Sequence, residues 1–285
     1  DNTGWASGTT GTIFRTVNGG TNWTPENSGT SATLNGLYFV SSTIGWAVGT
    51  SGTILKTTNG GTSWSTQASG TGAILNGVFF LNASTGWIVG TSGTILKTTT
   101  GGTSWSPQTT GSGAALNSVN FDSSTTGWAV GTTGTILKTT NGGSSWTAMF
   151  PASVTLNSVH FVSSTTGWVV GGSGTILKTV DAGASWNSLN PSTAEFRSVH
   201  FVSSTTGWAV GTGGAIYKTI DAGVHWSSMF PTSASLYGVQ FVSIPSNISV
   251  SVNTNPSGRT FTVDGVTYSS AQVFSWVPGS LHTIA

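Results

Sequence analysis

Short apolar segments alternate with polar runs along most of the chain. A typical segment is LNGLYFV at residues 34–40, and runs rich in Gly, Ser, Thr and Asn separate it from its neighbours. Short apolar segments bounded by such residues favour β-strands joined by turns. No stretch shows a 3.6-residue apolar period, so the pattern predicts little or no helix.

The pattern repeats about every 40 residues. A Gly-Trp pair occurs six times, and a second Trp follows each pair 18 residues later. The first series is Trp5, Trp46, Trp87, Trp128, Trp168 and Trp208, and the second is Trp23, Trp64, Trp105, Trp146, Trp186 and Trp226. Two markers that keep the same period indicate a repeat architecture.

Each repeat contains four predicted strands. The first is an apolar segment such as Leu34–Val40 or Leu156–Val162, and the others are GWAVG, GTILKT and a strand near the second Trp. Four strands per 40 residues predict an all-β, six-bladed β-propeller of four-stranded blades. The chain begins in a second strand and ends the array with a lone first strand, Leu236–Val242. We therefore predict that Leu236–Val242 pairs with Gly4–Gly8 and closes the ring, whereas an open solenoid would leave both ends uncapped.

A recurring turn joins the third and fourth strands. It reads TTNGGTSW at residues 57–64 and TVDAGASW at residues 179–186. Asn and Asp side chains accept bonds from backbone N–H groups two or three residues on, and Gly permits positive φ. We interpret the Asn and Asp at the third place as structural rather than ligand-binding. They are Asn18, Asn59, Asn141, Asp181 and Asp221, with Thr100 in the third copy.

This turn resembles the Asp-box, S/T-x-D-x-G-x-x-W, also called the bacterial neuraminidase repeat. The combination of GWAVG, GTILKT, NGG and SW resembles the propellers of photosystem II stability and assembly factors and their secreted bacterial relatives. The resemblance covers residues 1–242 and implies the propeller fold. Those factors usually have seven blades and an arginine-rich binding patch, whereas this array has six repeats and its only arginines are Arg15 and Arg197.

Composition narrows the function. Only 5% of the 285 residues are charged, against about 25% in an ordinary domain, and the net charge is +1. This balance predicts no nucleic-acid partner, and the apolar runs are too short to span a membrane. The absence of cysteine excludes disulfides and thiolate metal sites. A surface of hydroxyl groups with few charges predicts an extracellular or cell-surface protein.

The residues offer no catalytic constellation. Sialidases need three arginines and a Tyr–Glu pair, and glycoside hydrolysis needs two carboxyls about 5–10 Å apart. Glu26, Asp122 and Glu195 belong to different repeats. His160 and His200 occupy equivalent positions without a third ligand, so we interpret them as half-buried polar residues near the channel. The sequence predicts no enzyme, no cofactor and no metal.

Positions that vary among similar repeats are the candidates for binding. The first strand contains two such positions. The position before the Phe holds Tyr38, Phe79, His160 and His200, and the position after the initial residue holds Arg197 and Tyr237. A basic residue near the end of each third strand forms a second candidate, a ring for an anionic partner or glycan. The alternative is a solvated lysine that protects a sheet edge. The ring comprises Arg15, Lys56, Lys97, Lys138, Lys178 and Lys218.

We therefore predict a propeller at residues 1–243 and a partial β-rich module at 244–285. The predicted function is a non-enzymatic extracellular interaction or scaffold module of a bacterial surface or secreted protein, with a protein or glycan partner. The alternative is a self-associating subunit of a filament or sheath that uses the C-terminal segment, and glycoside hydrolysis is a third. The segment contains predicted strands Ile248–Val252 and Thr260–Val263. It has too few apolar residues to fold alone without a disulfide or metal.

Overall fold

The computed structural model describes residues 3–229, 233–238, 248–252, 260–270, 272–276 and 283. Residues 3–229 form six antiparallel sheets in chain order. The only helical elements in the described residues are four three-residue 3-10 turns, at Thr9–Gly11, Thr50–Gly52, Thr132–Gly134 and Thr212–Gly214. The predicted all-β, six-bladed propeller is confirmed.

The blades follow one another along the chain. Blade 1 contains β1 (Gly4–Ser7), β2 (Ile13–Thr16) and β3 (Thr24–Glu26), and blade 2 contains β4 (Leu34–Phe39), β5 (Gly45–Gly49), β6 (Ile54–Thr57) and β7 (Ser65–Gln67). Blade 3 contains β8 (Leu75–Phe80), β9 (Gly86–Gly90), β10 (Ile95–Thr98) and β11 (Ser106–Pro107). Blade 4 contains β12 (Leu116–Phe121), β13 (Gly127–Gly131), β14 (Ile136–Thr139) and β15 (Thr147–Met149). Blade 5 contains β16 (Leu156–Phe161), β17 (Gly167–Gly171), β18 (Ile176–Thr179) and β19 (Asn187–Ser188). Blade 6 contains β20 (Phe196–Phe201), β21 (Gly207–Gly211), β22 (Ile216–Thr219) and β23 (Ser227–Met229).

Among the described residues, a tryptophan of each of blades 1 to 5 packs against the next blade. Trp46 of blade 2 is fully buried, stacks on Phe80 of blade 3 at 3.4 Å, and donates its Nε1 hydrogen to the Gly101 carbonyl at 3.2 Å. Burial of about 150–250 Å² of Trp surface is equivalent to roughly 4–6 kcal/mol before entropy is counted. The same stack recurs with Trp5, Trp87, Trp128 and Trp168. We call this contact the interblade seam.

The second Trp series packs differently. Trp105 meets the Phe80 ring edge-on at 5.8 Å and is only partly buried, and Trp23 is 45% exposed. The interblade core therefore depends mainly on the first series.

In blades 2 to 6, the glycine before the first-series Trp leaves room for the stacked Phe ring. A Cβ at Gly86 would lie 2.5 Å from the ring of Phe80. That distance is far shorter than any van der Waals contact, so a side chain would displace the stacked Phe. The Gly-Trp pair is thus a requirement of the interblade seam.

The closing strand lies largely outside the described residues. The Leu236 amide donates to the Gly211 carbonyl at 2.9 Å, as the Leu34 amide donates to the Gly8 carbonyl at 2.9 Å between blades 1 and 2. Leu236 therefore enters where the first strand of a following blade would begin. Val239–Val242 lie outside the described residues, so the predicted pairing with Gly4–Gly8 stays a prediction.

The chain divides into two compact units, one of residues 2–241 and one of residue 1 with residues 242–285. In the second unit, β24 (Ile248–Val252) pairs with β27 (Gln272–Trp276), and β25 (Phe261–Val263) pairs with β26 (Val266–Tyr268). Both pairs are antiparallel.

Candidate functional site: the central channel

The first strands of successive blades lie side by side and form the wall of the central channel. Each begins at the face that carries the hairpins between second and third strands. In blade 6, for example, the Thr212 amide donates to the Glu195 carbonyl at 2.9 Å. The positions that vary among the repeats are therefore distributed along the channel wall and around this mouth.

At the mouth, an asparagine joins each first strand to the next. Asn35 Nδ2 donates to the Leu75 carbonyl at 3.0 Å, and Asn76 Nδ2 donates to the Leu116 carbonyl at 2.9 Å. Asn117 and Asn157 make the same contact at 2.9 and 2.7 Å. This asparagine staple is part of the scaffold in blades 2 to 5.

Blade 6 breaks this staple. Arg197 stands at the asparagine position, with its guanidinium 5.3 Å from the ring centroid of Tyr237. Its Nη2 lies 3.1 Å from Glu195 Oε2, and Asn157 Nδ2 donates to the other carboxylate oxygen at 3.2 Å. Tyr237 is 71% exposed. The structure thus brings two predicted residues, Arg197 and Tyr237, together with Glu195 in an exposed cluster, which we call the mouth cluster.

Further into the channel the wall has two different halves. The rings of Tyr38 and Phe79 lie 5.2 Å apart, and those of His160 and His200 lie 4.5 Å apart. Burial raises the pKa of the Tyr38 hydroxyl. Burial, with His200 as the second cause, lowers the pKa of His160 to about 4, so this imidazole is neutral at pH 7.

In the polar half of the wall, two side chains accept hydrogen bonds from backbone amides of the next blade. Asn120 Oδ1 accepts the Phe161 amide at 3.1 Å, and His160 Nδ1 accepts the Phe201 amide at 3.4 Å. The lone pair of His160 Nδ1 is therefore directed at the backbone, and the proton of the neutral ring resides on Nε2. Among the described residues no group of three or more His, Asp or Glu side chains could hold a metal ion.

The basic residues lie at the interblade seam. Lys56 Nζ lies 5.5 Å from the centroid of the Trp46 ring of its own blade, and Lys97, Lys138, Lys178 and Lys218 repeat this contact at 5.4–5.9 Å. Each side chain, like that of Arg15, is partly buried. Cation–π contacts of this kind contribute about 0.5–1 kcal/mol when exposed. An anion-binding role for the ring stays a prediction.

The Asn, Asp or Thr side chain of each recurring turn accepts a backbone hydrogen bond that closes the turn between the third and fourth strands. Asn59 Oδ1 accepts the Ser63 amide at 3.0 Å, and Asp181 Oδ1 accepts the Ser185 amide at 2.9 Å. The accepted amide is four residues on, not two or three as expected, because the loop forms a wider turn. Asn18, Asn141 and Asp221 make the same bond, as does the Thr100 hydroxyl.

The three carboxylates that lie outside the recurring turns of the propeller belong to different blades. Glu26 is in the outermost strand of blade 1, Asp122 follows the first strand of blade 4, and Glu195 is in the mouth cluster. Sequence reasoning left Glu195 outside the site, although its opposite charge two residues before Arg197 on the same strand face was a usable signal.

The fold and its channel define a repeat-built β-propeller. A family model described as photosynthesis system II assembly factor YCF48 matches residues 26–106, 58–150 and 148–240, and the chain belongs to this family. The family is that of an assembly factor rather than an enzyme. No curated protein sequence matches the chain.

Solved structures share the fold. The structure of YCF48 bound to a D1 peptide is 21% identical, with a TM-score of 0.70 over 84% of this chain and 82% of that chain. YCF48 from Cyanidioschyzon merolae is 22% identical, with a TM-score of 0.69 over 85% and 86%. A GH74 enzyme from Niastella koreensis is 19% identical, with a TM-score of 0.67 over 80% of this chain but 43% of the enzyme.

The family corrects one expectation. The extracellular or cell-surface location predicted from the low charge is wrong, because the chain belongs to a family described as a photosynthesis system II assembly factor. Hydroxyl-rich surfaces with few charges are compatible with more than one compartment, so composition was a poor guide. None of the described helices is long and apolar enough to cross a membrane.

Proposed function

We propose that the propeller is a non-catalytic assembly module that binds an extended segment of a partner protein at the mouth cluster. The observation that carries this proposal is the break in the asparagine staple. Four blades use the position to tie neighbouring strands together, whereas blade 6 places Arg197 there against the exposed ring of Tyr237. Asparagine would suit the scaffold at this position, so the presence of arginine in its place requires a reason other than stability of the fold.

The chemistry of the mouth cluster suits a peptide. Tyr and Arg are enriched among residues that dominate binding energy at protein interfaces. Arg197 offers planar donors for backbone carbonyls or a carboxylate, Glu195 offers acceptors, and Tyr237 offers an apolar face. The solved YCF48 structure bound to a D1 peptide supports a peptide as the kind of ligand for this family.

A selection experiment tests the proposal. The immobilised chain is screened against a displayed library of random linear peptides, and the enriched peptides are measured by calorimetry against the native chain and an Arg197→Asn/Tyr237→Asn variant. This variant restores the residue of blades 2 to 5, so it should fold normally and lose at least about tenfold in affinity, since hot-spot residues each contribute about 2 kcal/mol or more. Equal binding to both proteins, or no enriched peptide, would contradict the proposal.

A further inference from the structure

The turns between the third and fourth strands are not alike around the ring. The residue that directly follows the third strand is threonine in blades 2 to 4 but a β-branched aliphatic residue in blades 1, 5 and 6. The aliphatic residues are Val17, Val180 and Ile220, which are 61%, 60% and 70% exposed. Because blade 1 follows blade 6 in a six-bladed ring, these side chains stand on three consecutive blades.

The turns of blades 5 and 6 differ at further positions. Val224 of blade 6 is 67% exposed, and blades 1 to 4 have Thr or Ser in its place. Ala182 and Ala222 have φ of 61° and 63°, at the position where blades 1 to 4 have glycine. Alanine at positive φ is less favourable than glycine, so the stability of the turn does not explain these exchanges. Each exchange makes the surface of the two turns more apolar.

These turns lie at the end of the strands opposite the channel mouth. The Ala222 amide donates to the Thr205 carbonyl at 2.8 Å, in the hairpin between the first and second strands of blade 6. That hairpin follows the end of the first strand, whereas the mouth is where the first strands begin. We call the surface formed by the turns and these hairpins the turn face.

The turn face also carries the ring of basic residues. Lys56 Nζ lies 3.1 Å from the point that a Cβ would occupy on Gly101, in the turn of the next blade, and Lys97 Nζ lies 3.0 Å from that point on Gly142. The two ion pairs found among the described residues join Arg197 to Glu195 and His225 to Asp221, so the ring makes none with them.

The charges on this face do not balance. Against the six basic residues stand three described carboxylates, those of Asp122, Asp181 and Asp221. Asp181 accepts bonds from the Ser185 amide and hydroxyl, and Asp221 is paired with His225 in its own turn. The turn face therefore combines exposed aliphatic side chains with an excess of positive charge.

We propose that the turn face binds an anionic lipid surface. Val17, Val180, Ile220 and Val224 enter the boundary between headgroups and acyl chains, and the basic ring lies at the level of the headgroups. The aliphatic side chains stand on separate turns, and a lipid layer can deform around each of them, whereas a protein partner needs one continuous complementary surface. The mouth cluster, at the opposite end of the strands, remains accessible to a peptide.

The test is flotation of the full chain with vesicles of phosphatidylcholine alone and of phosphatidylcholine mixed with phosphatidylglycerol. The proposal expects saturable binding to the mixed vesicles that weakens as salt is added, and weaker binding to phosphatidylcholine alone. No binding to the mixed vesicles would overturn the proposal and leave a protein as the partner of this face. Equal binding to both vesicles at every salt concentration would contradict the role of the basic ring.

A triple variant decides whether the aliphatic side chains are responsible. Val17→Thr/Val180→Thr/Ile220→Thr gives blades 1, 5 and 6 the threonine of blades 2 to 4, so it should fold normally. It should weaken binding to the mixed vesicles at least about tenfold, because three apolar groups no longer enter the lipid. An unchanged affinity would overturn the proposal.

Two further comparisons locate the effect on the molecule. Ile220→Thr alone should weaken binding about threefold or more. Ile74→Thr makes the same change beside the channel mouth, where it copies Thr33 of blade 2, and should leave vesicle binding unchanged. Equal losses from the two variants would overturn the assignment to the turn face. The Arg197→Asn/Tyr237→Asn variant should bind vesicles like the native chain, so failure of peptide binding and failure of lipid binding are distinguishable.

Discussion

The interblade seam and the channel wall are built from the same repeats but differ in how much the residue at an equivalent position varies from blade to blade. At the seam, Trp128 stacks on Phe161 at 3.5 Å and Trp168 stacks on Phe201 at 3.5 Å, with almost the same ring angle. On the channel wall, equivalent positions hold Tyr38, Asn120 and His160. A residue at the seam packs against two blades at once, so the same residue is needed in every blade. A residue on the channel wall packs against one neighbour, so it can differ between blades and can take on a binding role.

The largest expected effect comes from ring closure. A chain ending at Val242 should unfold like the full propeller, whereas a chain ending at Ser235 should lose about 5 kcal/mol or more, because the Leu, Val and Phe of a first strand each contribute about 1.5–3 kcal/mol on burial. Denaturant unfolding of both truncations checks this. Equal stability would show that Leu236–Val242 does not close blade 1.

The seam should be the next most sensitive region. Trp87→Ala removes a fully buried ring that stacks on Phe121 at 3.6 Å and donates to the Gly142 carbonyl, so it should cost about 3–5 kcal/mol. Trp23→Ala is the control, because Trp23 is 45% exposed and belongs to the second series. Similar losses from the two variants, measured by urea unfolding, would remove the distinction between the series.

The sequence predicted the seam better than the wall. The two Trp series and the Gly-Trp pair fixed the number of blades and the order of strands, and the observed strands differ from the predicted ones by a residue or two, as with Leu34–Phe39 against Leu34–Val40. Periodicity reveals what every blade needs. It does not predict which residues lie next to a position that varies between blades. The contact of Arg197 with Glu195 and Tyr237 could not be predicted in this way, because it depends on how two neighbouring strands are aligned.

Contacts between two blades could not be predicted from the sequence of a single repeat. The asparagine staple crosses from one blade to the next, over about 40 residues of sequence, as in Asn35 to Leu75. The two predicted strands of the C-terminal unit were found, but their partners β26 and β27 were not predicted. Two-stranded pairs are marginally stable alone, so the prediction that residues 244–285 do not fold in isolation stands for test by amide proton dispersion.

The turns should respond to acid in a blade-specific way. Bonds from the Ser185 side chain and backbone hold the pKa of Asp181 at about 2, below its ordinary 3.8. Because the folded pKa is the lower one, this contribution to stability is present above pH 3.8 and is lost as the pH falls through 2. The melting temperature of the native chain should therefore fall more steeply over this range than that of Asp181→Asn, which copies Asn59. Parallel melting curves would contradict this.

The most direct test of the difference between scaffold and binding positions compares one position in two blades. Asn76→Ala leaves the Leu116 carbonyl without its donor and should lower the free energy of unfolding by about 1–2 kcal/mol. Arg197→Asn removes a half-exposed ion pair and restores the staple residue, so it should change the free energy of unfolding by less than about 0.5 kcal/mol. Urea unfolding of the two variants side by side measures both values. A loss for Arg197→Asn as large as that for Asn76→Ala would show that Arg197 is part of the scaffold and would contradict its assignment to binding.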